Sequence, residues 1–249
     1  MFVFVFILSM DAQRAIYSVR VALPVALSGD LTGGNILKTT FAGKQGEAIV
    51  VDIEGRRIGS NIRPVLRLLD EKGVQVGFSA PQPELHGDAR ISTTLPGDGS
   101  YTLELHDILY KGPAPGRFRL KIGNLSFADL AFPMGVQQGQ PASVQYGRTN
   151  IDSTVEIAAV ENTLNALPLP AVGHATGSRP RIVVSQHAEY VESTEAGDVP
   201  AAPVGINGRL SAKGEADSFK VVAKPGSKLR LDVIARRAGS PKGHGPREE

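Results

Sequence analysis

The chain has 249 residues, of which 41% are apolar, and its 27 basic and 25 acidic residues leave a net charge of only +2. Basic residues form no stripe interleaved with aromatic residues, which argues against nucleic-acid binding. The chain contains no cysteine, so a disulfide framework and a thiolate zinc site are excluded. The length suits one large domain or two smaller ones.

The first segment, residues 1–23, opens with the apolar run MFVFVFIL. This run is far shorter than the roughly 20 residues that a helix needs to cross a bilayer, so no membrane span is predicted. Its length suits the core of a signal peptide, but a basic leader and a small-x-small cleavage site are missing from it. An export signal, a misassigned start codon and an added strand are the alternatives left open.

Residues 24–125 are predicted to form a sandwich of seven or eight short strands. Apolar residues recur at every second position, as Leu66 and Leu68 do around Arg67, and this period is typical of a strand with one buried face. Regular strands with Gly- and Pro-rich turns favour an all-β fold of antiparallel, jelly-roll or immunoglobulin-like sandwiches. The predicted core positions are Ile49, Val51, Ile53, Leu66, Leu68, Tyr101, Leu103, Leu105, Phe118, Leu120 and Ile122.

The opening of this region is repeated near the end of the chain. Residues 44–60 and 224–240 are identical at 7 of 17 positions, and internal repetition of this kind indicates tandem modules. In the second copy Leu229, Leu231 and Val233 take the apolar positions, which predicts another half-buried strand.

The second copy, 204–249, becomes unrecognisable after Pro241. Half a sandwich would leave the apolar face of its sheet exposed to solvent and one sheet edge unpaired. The resulting hypothesis is that the chain is a fragment of a longer repeat protein, through a frameshift, a premature stop or a divided reading frame, and that this copy is poorly ordered.

The middle of the chain has a different character. Residues 126–191 contain a short strand ending at Gly147, a stretch over 161–181 with little periodicity, and one more strand over 181–191. Residues 192–203 are acidic and proline-containing, which is typical of a linker.

The motifs in the first sandwich, taken in order, resemble the bacterial pre-peptidase C-terminal (PPC) domain, in the version found in large secreted or surface proteins of planctomycete-type bacteria. The resemblance covers 24–123 and part of 203–241. Its matching residues are Arg56, Arg57, Gly59, Ser60, Pro64, Leu66, Leu68, Asp70, Gly73, Asp98, Gly99 and Tyr101.

The middle segment is similar to an IPT/TIG-type immunoglobulin-like module. The residues that carry this similarity are Pro133, Gly135, Gly139, Gly147, Asn150 and Ile151.

The resemblance implies a non-catalytic module of a secreted or cell-surface protein, with adhesion or the binding of an extracellular protein or polysaccharide as its function. The alternative is the accessory C-terminal region of a secreted peptidase whose catalytic domain is absent from this chain. A third interpretation is a structural spacer without a ligand. The sequence leaves the ligand and the oligomeric state open.

No catalytic, cofactor-binding or metal-binding residue is predicted. Some PPC relatives bind calcium near an acidic segment, but Glu192, Glu195 and Asp198 supply only part of the six to eight oxygens that calcium takes. An ordinary acidic linker is therefore the favoured interpretation. Ser185 and His187 lack an oxyanion motif and a third partner, which argues against a nucleophilic site.

Several polar and aromatic residues have both a structural and a functional interpretation. For Arg56 and Arg57 the structural one is favoured over an anion site, with one arginine on a carboxylate and the other in solvent. His106 is expected at the surface. Three aromatic residues are expected to cover the core at sheet ends rather than to bind glycans, namely Phe78, Tyr110 and Phe127.

Overall fold

The computed structural model describes residues 16–112, 114–171, 173–177, 179–192 and 199–234. The predictions for residues 1–8, for Glu195 and Asp198, and for the second copy beyond 234 lie outside these residues. The chain divides into unit 1, Met1–Ser126 with Gly173–Gly177, and unit 2, Phe127–Val172 with Ser178–Glu249. Within the described ranges, no helix has the length and hydropathy needed to cross a membrane.

Unit 1 is a largely antiparallel β-sandwich, which confirms the predicted fold class. One sheet has the order β1-β3-β8-β5-β6 and the other β2-β9-β4-β7. Its strands are β1 (Ile16–Arg20), β2 (Val25–Asp30), β3 (Ile36–Gly43), β4 (Ala48–Glu54), β5 (Pro64–Leu69), β6 (Gln75–Ser79), β7 (Arg90–Thr94), β8 (Gly99–Asp107) and β9 (Arg117–Gly123). Two short 3₁₀ turns, Arg56–Ile58 and Pro83–Leu85, lie between strands.

The core of unit 1 lies between the two sheets. All eleven apolar positions predicted from the alternating pattern are at most 4% exposed, because each sheet turns every second side chain toward the other sheet. Burying a side chain of this size stabilises the fold by about 1.5–3 kcal/mol. Strand β1 was not among the predicted strands, and it pairs in parallel with β3.

Unit 2 has shorter strands and a smaller core. Three small sheets have the orders β13-β12-β10, β11-β16-β14 and β17-β18. The strands that follow β9 are β10 (Ser126–Phe132), β11 (Gly135–Gln137), β12 (Ala142–Thr149), β13 (Thr154–Ile157), β14 (Leu164–Pro168), β15 (Ala175–Thr176, in unit 1), β16 (Arg181–Ser185), β17 (Ala188–Val191) and β18 (Val204–Asn207). Its core residues include Val144, Leu169 and Ile182.

Strand β14 lies in the stretch that was predicted to have little periodicity. It pairs with β16, and the register is interrupted between Leu164 and Leu167. This irregularity breaks the period-two alternation, which explains why the strand leaves no clear pattern in the sequence.

The second copy forms its turn but not its strand. The amide of Ser227 donates to the carbonyl of Lys224 over 3.1 Å, as Glu47 does to Lys44 in the first copy. Gly226 and Gly46 both have a positive φ, 76° and 80°, so glycine is required at both turns.

A strand is predicted after this second turn. That prediction is wrong for the described residues, because residues 208–234 contain no strand. Leu229, Leu231 and Val233 are 52%, 81% and 82% exposed. In the first copy β4 lies between β7 and β9 and faces the opposite sheet. A turn is specified locally, whereas a strand needs neighbours for its backbone hydrogen bonds and its apolar face.

We predict that hydrogen exchange will separate the two copies. Amides of 48–54 should be protected to nearly the global stability of unit 1, because β4 is paired with β7 on one side and with β9 on the other. Amides of 228–234 should exchange with little protection. Exchange measured residue by residue by NMR would check this. Equal protection of the two segments would contradict the structural difference between the copies.

Candidate binding surface

Four loops meet at one end of unit 1. The register pairs Pro64, at the start of β5, with Asp107, at the end of β8, and Asp30, at the end of β2, with Arg117, at the start of β9. Antiparallel pairing therefore gathers the connections that follow or precede these residues. We call them the loop end, which consists of residues 31–35, 55–63, 80–89 and 108–116, except for residue 113, which lies outside the described residues.

A buried cluster of charges lies beneath this end. Asp52 accepts hydrogen bonds from the guanidinium groups of Arg57 (Nη2 to Oδ1, 3.0 Å) and Arg90 (Nε to Oδ1, 2.9 Å). Its other oxygen accepts from the hydroxyl of Thr176 over 2.8 Å. Arg57 Nε also donates to Asp88 over 2.8 Å. Two carboxylates and two guanidinium groups thus neutralise one another inside the fold.

Asp88 joins two of the loops through backbone hydrogen bonds. Its carboxylate accepts the amides of Gly55 (2.9 Å), Arg56 (2.6 Å) and Arg57 (3.1 Å). These are charge-assisted bonds to the first residues of a 3₁₀ turn, and each is stronger than a bond between neutral groups. Asp88 therefore fixes loop 55–63 against loop 80–89.

Arg57 stays charged within the cluster. Burial is the largest influence and lowers the pKa of the Arg57 guanidinium, but the charge of Asp52 and the hydrogen bond and charge of Asp88 together raise that pKa above its ordinary value. The cluster therefore keeps its positive partner at any pH at which the protein is handled.

The structural interpretation of the arginine pair is confirmed. Arg57 has an 8% exposed side chain held by two carboxylates, whereas Arg56 is exposed. The sequence did not identify Asp52 and Asp88 as the partners. One signal was present, because Asp52 and Arg57 both recur in the second copy, at 232 and 237.

A further buried carboxylate, that of Asp107, shapes the start of loop 108–116. Its two oxygens accept the amides of Leu109 and Arg63, each over 2.9 Å, and its carbonyl accepts the amide of Tyr110 over 3.0 Å. The amide of Ile108 donates to the carbonyl of Arg63 over 2.9 Å. Every amide from 108 to 110 is therefore hydrogen-bonded, so this part of the loop has a defined conformation.

The held loop exposes three consecutive large apolar side chains. Ile108, Leu109 and Tyr110 are 42%, 49% and 38% exposed. We call these three residues the apolar tip. An exposed apolar cluster on an ordered loop is a common feature of interaction sites.

His106 lies beneath the apolar tip, so its predicted surface position is wrong. It is 7% exposed, and its ring stacks on the Tyr110 ring with centroids 4.3 Å apart. The hydroxyl of Tyr110 lies 3.1 Å from His106 Nε2, and His106 Nδ1 lies 3.0 Å from the carbonyl of Asp107. The loop folds back over the strand end, which the alternating pattern of β8 did not reveal.

The neighbouring loops hold the remainder of this loop. The carbonyl of Pro115 accepts from the hydroxyl of Ser60 (2.8 Å) and the amide of Asn61 (2.9 Å). A Cβ at Gly112 would lie 2.0 Å from the backbone nitrogen of Gly33, so only glycine allows loops 31–35 and 108–116 to approach this closely.

The other residues singled out in the sequence lie elsewhere. Phe78 is 56% exposed, so the expectation that it covers the core is wrong, and Phe127 is half-buried. Ser185 Oγ accepts the backbone amide of His187 over 3.0 Å, which is a local turn contact. Glu192 accepts the amide of Arg209 over 2.8 Å. The preference for an ordinary acidic linker over a calcium site stays a prediction, because Glu195 and Asp198 lie outside the described residues.

Comparisons with known proteins identify no family. No family profile matches the chain, and no curated protein matches it. Among solved structures, the chain is similar to the pre-peptidase C-terminal domain of a collagenase from Bacillus anthracis, with 15% identity, 45% of this chain and 99% of that chain covered, and a TM-score of 0.36. It is also similar to PliG of Aeromonas hydrophila, a periplasmic inhibitor of g-type lysozyme, with 17% identity, coverages of 44% and 98%, and a TM-score of 0.34. At these identities and TM-scores, the likenesses carry no functional argument, and the PPC and IPT/TIG resemblances stay predictions.

We predict that Arg57→Ala destabilises unit 1 by about 3–5 kcal/mol, because it leaves Asp52 and Asp88 buried with less compensating charge. Arg56→Ala is the matched control, and as an exposed change it should cost about 0.5 kcal/mol or less. Urea unfolding followed through NMR signals of unit 1, such as those of Leu66, would measure both. Equal effects of the two variants would show that the cluster does not stabilise the fold.

Proposed function

We propose that this chain is a non-catalytic, extracellular binding module, and that the loop end of unit 1 is its contact surface for another protein. The observation that carries the proposal is the apolar tip, whose three exposed side chains stand on a backbone fixed by Asp107. An extracellular location follows from the PPC resemblance and is part of the proposal.

Energetics support a binding role for the apolar tip. Removing a side chain of this kind from water stabilises a complex by up to about 1.5–3 kcal/mol. Because the loop is already held by hydrogen bonds, little conformational entropy is lost when a partner binds. Loops gathered at one end of a β-sandwich serve as the binding surface in antibody variable domains, which shows that the architecture is suited to the role.

The chemistry of the tip favours a protein partner over a polysaccharide. Sugars are usually recognised by flat aromatic faces, and Tyr110 is the only aromatic residue of the tip. Ile108 and Leu109 are aliphatic and suit the apolar core of a protein interface. One face of Tyr110 is also covered by His106.

The arrangement of charges supports a non-catalytic role. A carboxylate that acts as a general acid or base must be able to reach the substrate and to exchange a proton with it. Asp52 and Asp88 are fully buried and bound to guanidinium groups. Asp107 is buried and occupied by backbone amides.

A peptide library gives the direct test, because the partner is unidentified. Panning a random 12-residue phage library on the immobilised protein should enrich peptides whose affinity for purified protein falls about tenfold or more in Leu109→Ser, as expected of a hot-spot residue. Val74→Ser is the matched control, since Val74 is an exposed valine, 57% accessible, in the turn between β5 and β6, away from the loop end. The affinity of the Val74→Ser variant for the enriched peptides should be unchanged.

Other outcomes would overturn the proposal. Failure to enrich any peptide that distinguishes Leu109→Ser from Val74→Ser would show that the apolar tip is not a protein-binding surface. Binding on a glycan array that requires Tyr110 but tolerates Leu109→Ser would assign the surface to polysaccharides instead.

A further inference from the structure

Unit 2 contains a cleft that is separate from the loop end. Its volume is about 600 Å³, which is within the range of small-molecule sites. The apolar part of its lining includes Met134, Ile182, Ile206 and Ile234. The carboxylate of Glu189 is held in the lining by two glycines and by Asn207.

Two glycines make room for the Glu189 carboxylate. Glu189 of β17 is paired with Gly205 of β18, and a Cβ at Gly205 would lie 2.3 Å from both carboxylate oxygens. A Cβ at Gly135 would lie 2.6 Å from Oε2. Either side chain would displace the carboxylate, so both positions need glycine for this arrangement.

Asn207 fixes the orientation of the carboxylate. It is 3% exposed, and its Nδ2 donates to Glu189 Oε2 over 2.8 Å and to the carbonyl of Tyr190 over 3.3 Å. Its Oδ1 accepts the amide of Gly135 over 2.7 Å. All hydrogen-bonding groups of the Asn207 side chain are therefore occupied by the cleft wall.

Among the described residues, no ion pair compensates the charge of Glu189. In the part of the chain that the structure describes, its carboxylate receives one hydrogen bond, from the neutral Asn207 amide, and forms no ion pair. A carboxylate can accept about four hydrogen bonds, and a partly buried charge is stabilised by an opposite charge. Arg181 and Asp232 also line the cleft and have opposite signs, so among the described lining residues Glu189 leaves one net negative charge.

We propose that this cleft binds an organic cation, a primary ammonium or guanidinium group carried on a short apolar stem, as in a lysine or arginine side chain. The charged group contacts Glu189, and the stem lies along Ile182 and Ile206. The proposal does not rest on the function assigned to the loop end, because the two sites belong to different units.

Small probes test the proposal on the full-length wild-type chain. Titration of the ¹⁵N-labelled protein with n-butylammonium and with n-butylguanidinium should give saturable NMR shifts at Gly135, Gly205 and Asn207, with a Kd on the order of 1–10 mM, which is reasonable for so small a ligand. Neutral n-butanol, which has the same stem, should bind at least tenfold more weakly.

Substitution of the carboxylate gives the second test. Glu189→Gln keeps an oxygen that can accept from Asn207 but removes the charge, so the affinity for n-butylammonium should fall about tenfold or more. Glu156→Gln is the matched control, because Glu156 is an exposed carboxylate on β13 of the same unit. Its affinity should not change.

Three results would overturn the proposal. They are equal affinities for n-butanol and n-butylammonium, unchanged affinity in Glu189→Gln, and the absence of saturable shifts with either cation. If Glu189→Gln does not fold, the comparison of the two ligands on the wild-type protein still decides the question.

Discussion

The loop end of unit 1 depends on the neutralisation of two buried carboxylates, Asp52 and Asp88, by Arg57 and Arg90. Without the arginines, loops 55–63 and 80–89 would no longer be held against β4 and β7, because an unpaired charge inside a protein is strongly unfavourable. Asp88 also receives three backbone amides, so the cluster sets the conformation of the main chain as well as the positions of side chains.

This cluster and Asp107 fix different loops of the loop end. The cluster fixes loops 55–63 and 80–89 from below. Asp107 fixes the start of loop 108–116 through the amides of Arg63, Leu109 and Tyr110. The result is a surface on which apolar side chains are exposed while the backbone beneath them is hydrogen-bonded. Such preorganisation is the physical basis for assigning a binding function to this surface.

The sequence predicted those parts of the fold that are encoded locally. Alternation identified the core strands, and glycines identified the turns at Gly46 and Gly226. The ionic cluster was not predictable in the same way, since Asp52 and Thr176 are 124 residues apart and meet only through the fold. His106 was misplaced because a strand pattern does not show that the next loop folds back over it.

The two copies of the repeat also show that local sequence determines a turn but not a strand. Both form the Lys-x-Gly turn, but within the described residues the first copy alone has flanking strands and an opposite sheet that covers its apolar face. Equivalent apolar positions are therefore buried in the first copy and exposed in the second. Tertiary partners decide whether a short alternating segment becomes a strand.

The proposed binding surface requires a rigid backbone beneath the apolar tip. Measurement of ¹⁵N order parameters for the amides of Ile108, Leu109 and Tyr110 tests it directly. Values of about 0.85, equal to those of β8, are predicted for all three residues. Values below about 0.6 would show a flexible loop on the picosecond-to-nanosecond timescale and would contradict the account.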